Sequence, residues 1–230
     1  MNLALAKRLL AAPSIADDKY SRGSVGFATG SERYPGAAIL GVTAAFRAGI
    51  GLVRYFGPTE VGKLVLLARP ETVLGDGQVD CWVIGSGIDF EGSGQTLRDS
   101  IAQLRSRQIF NVIDAGGLDL IGPGEPATNA DSSSTIRPMQ VLTPHHREAA
   151  RLLTRMGHPA SASEIAAEPT YYARMLATAT KSVVVLKGHT TVVAGPFGEP
   201  ESLSSGPTEL ATAGTGDVLA GILGALIARA

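Results

Sequence analysis

Short apolar runs alternate with segments of helical spacing along most of the chain. Apolar runs predict strands at residues 24–30 (closing on a loop), 52–56, 79–84, 110–113, 140–142, 182–186 and 191–194. Apolar residues at helical spacing predict helices at 35–48, 59–69, 94–105, 147–155 and 163–178. Because strands and helices alternate, the pattern predicts an α/β fold with a mostly parallel sheet covered by helices on both faces.

The segment Thr-Ala-Gly-Thr-Gly-Asp at residues 212–217 leads into a long apolar helical pattern. Gly214 and Gly216 carry no Cβ, so a ligand can approach the backbone closely there. A helix that begins here directs its free N–H groups and the positive end of its dipole toward that ligand. The segment is therefore a candidate site for a phosphate or another oxyanion.

Asp217 follows these glycines and has two interpretations. A carboxylate in the first turn complements the helix dipole, which is a purely structural role. A carboxylate beside a bound phosphate could instead act as a general base and take the proton of an attacking hydroxyl. The segment by itself leaves both interpretations open.

Polar or glycine residues follow five of the predicted strands. Ligands of parallel α/β sheets bind outside the carboxyl ends of the strands, so these tips predict a binding site along one sheet edge. Three of them have a structural alternative: Asp114 could cap a helix, His145 could be a surface cap near Glu148, as a capping box from Thr143 or Pro144 would allow, and Lys187 could lie in a solvated turn. The tips are Gly30-Ser31, Gly85-Ser86-Gly87, Asp114, Thr143-Pro144-His145 and Lys187-Gly188.

Composition narrows the class of protein. The 230 residues are 44% hydrophobic and 18% charged with a net charge of -1, and no basic run points to a nucleic acid partner. The single cysteine, Cys81, excludes an intramolecular disulfide and fits a reducing compartment, so we expect a cytoplasmic protein. The N-terminus is a poor signal peptide, and the apolar C-terminal segment is too short to span a bilayer, so no membrane association is expected.

The domain organisation is predicted to be simple. We expect one domain over residues 1–230, with a polar, mobile loop at 122–135. The apolar helical pattern is unfinished at Ala230. We therefore expect that the natural protein, or at least its family, continues further.

Several motifs in this order resemble those of one family. They are Pro35-Gly36-Ala37-Ala38, Gly85-Ser86-Gly87, Asp114-Ala115, Thr143-Pro144-His145 with Glu148, Lys187-Gly188 with Thr191, and residues 213–217. From about Lys19 onward the chain resembles the ADP/ATP-dependent NAD(P)H-hydrate dehydratases of the ribokinase-like superfamily. Gly-x-Gly-Asp marks the superfamily alone, whereas Pro-Gly-Ala-Ala and Thr-Pro-His-x-x-Glu point to the dehydratases rather than to sugar kinases.

The resemblance implies a fold and a reaction. The fold is a three-layer α/β/α sandwich, and relatives are commonly homotetramers. Family chains often continue with helices after the Asp217 helix, so the resemblance implies that the single domain at residues 1–230 lacks its C-terminal helices. The substrates are NADH or NADPH hydrated on the nicotinamide ring. With Mg²⁺, ADP or ATP phosphorylates the ring hydroxyl, and elimination of phosphate restores the dinucleotide, because phosphate leaves more readily than hydroxide.

The resemblance also implies residue roles. Asp217 would be the base, and Gly214 and Gly216 would hold the transferring phosphate. Asp114 and Glu148 would lie near the phosphates and the metal, through water. The nucleotide would contact Lys187, Gly188, His189, Thr190, Thr191, Ala213, Gly214, Thr215 and Gly216, and the hydrated dinucleotide would contact Ala37, Ala38, Gly87, His145 and Asp217.

Two departures from the family pattern keep alternatives open. The family usually has Gly-Pro-Gly-Leu-Gly where this chain has Ser86 and Ile88, and Asp-Ala-Asp where this chain ends the motif with Gly116. One alternative is a small-molecule kinase of the same superfamily, acting on a vitamin precursor. The other, suggested by the missing second aspartate, is a nucleotide-binding protein without turnover.

Overall fold

The computed structural model describes residues 3–88, 94–105, 107, 109–123, 140–204 and 206–230. The helices are α1 (Leu3–Leu9), α2 (Pro35–Arg47), α3 (Thr59–Ala68), α4 (Gly94–Arg105), α5 (His146–Arg155), α6 (Ala162–Ala167), α7 (Pro169–Thr180) and α8 (Thr215–Ala228). The strands are β1 (Ser24–Ala28), β2 (Leu52–Tyr55), β3 (Val73–Leu74), β4 (Cys81–Ile84), β5 (Phe110–Ile113), β6 (Gln140–Leu142), β7 (Val183–Leu186), β8 (Thr191–Ala194) and β9 (Glu201–Leu203). Short 3₁₀ helices cover Ala115–Leu120 and Thr208–Leu210.

The described residues form one nine-stranded sheet in the order β3-β2-β1-β4-β5-β6-β7-β8-β9. The strands from β3 to β7 pair in parallel, while β8 and β9 extend the sheet as antiparallel strands. The mostly parallel sheet predicted from the sequence is confirmed. Because β1, β4, β5, β6 and β7 are parallel, their carboxyl ends meet along one edge.

Alternating side chains of the strands bury two faces of the sheet. In β4, Cys81 and Val83 pack with α2, α3 and α8, whereas Trp82 and Ile84 pack with α4 on the opposite face. Further along the sheet, a second cluster joins β6 and β7 to α5 and α7. Helices therefore cover both faces, which gives the predicted three-layer α/β/α arrangement.

Close packing against α2 determines the position of α8 on the sheet. A Cβ on Gly221 would overlap the carbonyl oxygen of Gly41 and lie 3.0 Å from the Cβ of Ala44. The two helices approach closely because no side chain lies between their backbones at this point. This contact fixes the first turn of α8 above the carboxyl edge of the sheet.

The structure differs from the sequence-based predictions in the helix at 163–178 and at the two edges of the sheet. The predicted helix at 163–178 is two helices, because the ring of Pro169 ends α6 and occupies the first turn of α7. The edge strands β3 and β9 were not predicted, since they are short and exposed and so carry no buried alternation. Most of the loop predicted at 122–135 lies outside the described residues.

In the part of the chain described, no helix is long and apolar enough to cross a bilayer.

The α2–α8 contact predicts a stability effect. Gly221→Ala places a methyl group against the Gly41 carbonyl and should lower the free energy of unfolding by roughly 1–3 kcal/mol. Gly36→Ala is the matched control in α2, since a Cβ there meets no atom within 4 Å and should stabilise the helix by up to about 1 kcal/mol. Urea denaturation measures both variants, and equal stability of Gly221→Ala and the unaltered protein would contradict the packing account.

Candidate functional site

The turn after β4 joins three neighbouring strand tips. Gly85 and Gly87 have φ values of 108° and 68°, which side chains other than glycine rarely adopt. A Cβ on Gly85 would overlap the carbonyl oxygen of Asp114, so this turn packs directly against the end of β5. The carbonyl of Ser86 accepts a hydrogen bond of 2.7 Å from the backbone N–H of Gly30, at the tip of β1.

Asp114 is the centre of the polar network at this edge. The residue is 2% exposed, and its Oδ1 accepts hydrogen bonds of 2.7 Å from Lys187 Nζ and 2.7 Å from Thr143 Oγ1. Its Oδ2 accepts a hydrogen bond of 3.0 Å from Ser86 Oγ. Burying a carboxylate is costly unless it is paired and hydrogen-bonded, and here donors from three other strand tips meet that requirement. The alternative of a helix-capping side chain is wrong, because Asp114 precedes the 3₁₀ helix without a side-chain cap.

Lys187 lies at the tip of β7 and connects two carboxylates. Its Nζ is 2.7 Å from Asp114 Oδ1 and 4.0 Å from Glu148 Oε2. Its backbone N–H donates to the carbonyl of Pro144 at 2.8 Å, which aligns this tip with the loop after β6. The Lys187 side chain remains 21% exposed, so a ligand can reach the ammonium group. The alternative of a solvated turn lysine is therefore wrong.

His145 is the N-cap of α5. Its Nδ1 accepts hydrogen bonds from the backbone N–H groups of Arg147 at 3.1 Å and Glu148 at 3.3 Å, while Glu148 Oε2 accepts from the N–H of His145 at 2.8 Å. The structural alternative of a His145 cap near Glu148 is confirmed, although the capping box begins at His145 rather than at Thr143 or Pro144. The His145 side chain is 49% exposed, and its role toward a substrate stays a prediction.

The first turn of α8 lies directly over the Lys187–Asp114 pair. Gly214 is the N-cap with φ 90°, and a Cβ on Gly216 would be 3.4 Å from Lys187 Nζ and 3.8 Å from Asp114 Oδ2. Thr215 Oγ1 donates to the carbonyls of Leu210 and Thr212 at 3.0 and 2.8 Å, which braces the loop. The N–H groups of the first turn have no partner within the helix. An anion bound at these N–H groups would also lie close to the Lys187 ammonium.

Asp217 is half-buried in this first turn. Burial raises the pKa of its carboxyl above the ordinary value of 3.8, the negative charge of Asp114 raises it further, and Lys187 opposes the shift. A carboxylate with a raised pKa is a stronger base near neutral pH than an ordinary aspartate. The geometry and the pKa shift both suit proton transfer next to a bound phosphate.

The other predicted residues lie at the two ends of the same edge. At the end predicted to bind the dinucleotide, Ala37 and Ala38 are buried in the first turn of α2, and a Cβ on Gly87 would lie 2.5 Å from the Cβ of Ala37. At the end predicted to bind the nucleotide, the turn from Gly188 to Thr191 joins β7 to β8, and Thr191 Oγ1 donates to the carbonyl of Gly188 at 3.3 Å. The turn includes His189 and Thr190, and Ala213 precedes the α8 N-cap.

Two polar side chains in the network had no predicted role. Ser86 and Thr143 lie at the tips of β4 and β6, the two strands that flank β5, so both reach the carboxylate of Asp114. Their hydroxyl groups at strand tips were the available signal. The order of the strands, which the sequence does not contain, was needed to interpret it.

The two departures from the family pattern are physically linked. Ile88 N–H donates to the carbonyl of Gly85 at 3.0 Å and closes the turn after β4. A Cβ on Gly116 would then lie 2.6 Å from the carbonyl oxygen of Ile88. A second aspartate at this position would therefore require the turn to open.

The residues suit a magnesium ion that arrives with a nucleotide. Within the described residues, no three His, Cys, Asp or Glu side chains form a group that could hold a metal by themselves. Mg²⁺ usually needs only one or two carboxylates, because water and substrate phosphates supply its other ligands. Carboxylate oxygens of Asp114 and Glu148 lie 2.7 and 4.0 Å from Lys187 Nζ, and the two residues fit this arrangement.

Solved structures identify the fold. A ribokinase-like superfamily protein from Enterococcus faecalis matches with a TM-score of 0.79 and 23% identity, over 100% of this chain and 79% of that one. An ADP/ATP-dependent NAD(P)H-hydrate dehydratase from Bacillus subtilis, co-crystallised with ATP and Mg²⁺, matches with a TM-score of 0.77 and 23% identity, over 96% and 78%. The fold is therefore ribokinase-like.

Sequence comparison identifies the family within this class. The family described as NAD(P)H-hydrate dehydratase matches residues 25–230. The bifunctional NAD(P)H-hydrate repair enzyme Nnr of Mycobacterium tuberculosis is 36% identical over 220 residues, which are 94% of this chain and 43% of that protein. The ADP-dependent (S)-NAD(P)H-hydrate dehydratase of Neisseria meningitidis is 32% identical over 219 residues, which are 90% and 70%. The chain belongs to the NAD(P)H-hydrate dehydratase family, and it spans less than half the length of the mycobacterial relative.

The environment of Asp217 predicts how its replacement changes stability with pH. Because folding raises its pKa, the ionised carboxylate opposes folding above the folded-state pKa, and this penalty fades as the pH falls toward 3.8. Asp217→Asn should therefore raise the free energy of unfolding at about pH 7.5, with a smaller gain at about pH 4.5.

Glu60→Gln is the control for this measurement, because Glu60 lies in the first turn of α3 and is exposed. Its replacement removes only a favourable interaction with the helix dipole and the Lys63 pair, so it should destabilise slightly. If urea denaturation finds that Asp217→Asn behaves like Glu60→Gln, the dipole interpretation of Asp217 is correct.

Proposed function

We propose that the protein is an ADP-dependent (S)-NAD(P)H-hydrate dehydratase. The observation that carries the proposal is the first turn of α8 above the Lys187–Asp114 pair, with Asp217 in the same turn. This arrangement offers N–H donors and a cation to a phosphate, and a base to the group that attacks it. The proposal is also supported by the name of the Neisseria meningitidis relative, whose length the match covers to 70%.

The reaction has two stages. First, the ring hydroxyl of the hydrated dinucleotide attacks the terminal phosphorus of ADP, the bond to AMP breaks, and the hydroxyl proton passes to a base. Then the carbon–oxygen bond breaks, phosphate leaves with the bonding electrons, and the neighbouring ring carbon loses a proton. The ring double bond re-forms, and the dinucleotide regains its ability to donate hydride.

Residues of this chain serve the first stage in distinct ways. Asp217 accepts the hydroxyl proton, because its raised pKa makes it a competent base. The N–H groups of the first turn of α8 and the Lys187 ammonium hold the transferring phosphate. Phosphoryl transfer depends mainly on such positioning and charge neutralisation, and Mg²⁺ bound with the nucleotide would add to the neutralisation.

The substrate end of the edge suits a flat ring. Ala37 and Ala38 bury their side chains, so their turn presents backbone to a ligand, and Gly87 packs against it without a side chain. His145 borders the phosphate position from the α5 side, where the exposed part of its ring can hydrogen-bond to the dinucleotide. Because Nδ1 accepts two backbone hydrogen bonds, Nε2 is the ring nitrogen left to donate, and it lies 3.5 Å from Glu148 Oε1.

The proposal also covers the cellular location, the oligomeric state and the nucleotide contacts of the enzyme. A cytoplasmic location fits the single cysteine, Cys81, which is buried and unpaired. A homotetramer is proposed from the family resemblance. The nucleotide contacts would come from the turn from Gly188 to Thr191 together with residues 213–216.

The direct test is the repair of acid-hydrated NADH by the protein with Mg²⁺ and ADP. Dihydronicotinamide absorbance should return, with one phosphate released for each dinucleotide restored. Recovery without nucleotide would contradict the phosphorylation step. Consumption of ATP with a hydroxymethyl-pyrimidine or thiazole alcohol, and no repair, would identify the kinase alternative, while ADP binding without either reaction would identify a silent binder.

Replacement of the base should separate chemistry from binding. Asp217→Asn keeps the shape of the side chain but removes the proton acceptor, so kcat for repair should fall by about a hundred- to ten-thousandfold. Affinity for ADP, measured by calorimetry, should change little. Glu60→Gln should keep the full rate, and a full rate for Asp217→Asn would mean that Asp217 is not the base.

A further inference from the structure

The backbone around Ser86 fixes the position of its hydroxyl group. The residue is 2% exposed, and its carbonyl accepts the N–H of Gly30 at 2.7 Å. On its other side, Gly85 packs so closely on Asp114 that a Cβ would overlap the carbonyl oxygen there. The turn therefore cannot shift without breaking contacts to β1 and β5.

The Ser86 hydroxyl completes the hydrogen bonding of the Asp114 carboxylate. Lys187 Nζ and Thr143 Oγ1 both donate to Oδ1 at 2.7 Å, and Ser86 Oγ donates to Oδ2 at 3.0 Å. Among the described residues, the Ser86 hydroxyl is the only group that donates a hydrogen bond to Oδ2. Because a carboxylate is planar, holding both oxygens fixes its plane, and this plane determines how Oδ1 faces Lys187.

Lys187 has a second carboxylate within reach. Its Nζ lies 4.0 Å from Glu148 Oε2, compared with 2.7 Å from Asp114 Oδ1. The position next to Asp114 is the one beneath α8, where Nζ is 3.4 Å from a Cβ placed on Gly216. If Asp114 rotates, the ammonium loses its 2.7 Å partner beneath Gly216, and Glu148 remains as a carboxylate toward which it can shift.

We infer that Ser86 is a positioning residue: by holding the plane of the Asp114 carboxylate, it keeps the Lys187 ammonium at the start of α8, where the terminal phosphate of ADP binds. The inference rests on the proposed function for the identity of this phosphate. It adds a residue that does not itself touch the nucleotide but controls one that does.

The test compares the affinities of ADP and AMP, because the two ligands differ only by the terminal phosphate. Calorimetry with Mg²⁺ gives the ADP-to-AMP affinity ratio for the unaltered protein, Ser86→Ala, Lys187→Met and the double variant. Ser86→Ala should lower the ADP-to-AMP affinity ratio by roughly tenfold, which corresponds to the loss of one hydrogen bond to a charged partner. The affinity for AMP should stay the same. In the Lys187→Met background, Ser86→Ala should change the ratio no further, since the two residues act through one contact.

Thr29→Val is the matched control at the same sheet edge. Its hydroxyl is also buried, at 2% exposure of the residue, but has no hydrogen-bond partner within the described chain. Removing this hydroxyl should leave the affinity ratio unchanged. If Ser86→Ala does not fold, Ser86→Cys carries the same prediction, because a thiol has nearly the same shape and is a much weaker donor.

Several results would overturn the inference. Additive effects of Ser86→Ala and Lys187→Met, or equal losses of ADP and AMP affinity, would assign Ser86 a general structural role. An unaltered protein that does not prefer ADP to AMP would also overturn it, whether or not repair occurs. If the protein prefers ADP but repairs no hydrated NADH, the proposed function fails, and the double-variant comparison still decides the role of Ser86.

Discussion

The ion pair between Lys187 and Asp114 is the interaction on which the carboxyl edge of the sheet depends. A buried carboxylate is costly unless a cation and further donors surround it. Asp114 obtains them from Lys187, Thr143 and Ser86, which lie at the tips of three other strands. The electrostatic requirement of one side chain therefore draws the ends of β4, β5, β6 and β7 together. The same requirement leaves the Lys187 side chain 21% exposed at the surface of the cluster, beneath α8.

The packing of α8 converts this cluster into a site for chemistry. Gly221 and Gly41 allow α8 and α2 to touch backbone to backbone, and this contact places Gly216 just above Lys187. Asp217 then lies in a partly buried position near a second carboxylate, which raises its pKa. A phosphate held by the helix N-terminus and the lysine would thus be bound beside a base. Phosphoryl transfer needs little more from a protein than this positioning.

The sequence predicted the strands, the helices and the sheet better than the side-chain contacts between the strand tips. Apolar runs identified the parallel strands other than β3, and the glycine and polar tips lie together along one sheet edge as predicted, because both signals are local. The break before Pro169 was missed because apolar spacing continues across it, and the strand at Val73–Leu74 was missed because it buries nothing. Contacts of Ser86 and Thr143 with Asp114 depend on strand order, which no local pattern encodes. The family resemblance supplied residue roles, but it could not show that the ring of His145 caps α5, since that depends on its rotamer.

Amide hydrogen exchange measured by mass spectrometry tests the central claim most directly, namely that the terminal phosphate of ADP binds where α8 begins above Lys187. The comparison is between the free protein, the protein with Mg²⁺ and AMP, and the protein with Mg²⁺ and ADP. Exchange should slow at residues 187–191 and 212–219, and ADP should slow the second segment more than AMP does, because the extra phosphate meets the N–H groups of the first turn. Unchanged exchange at residues 212–219 in a protein that binds ADP, or equal slowing by AMP and ADP, would contradict the account.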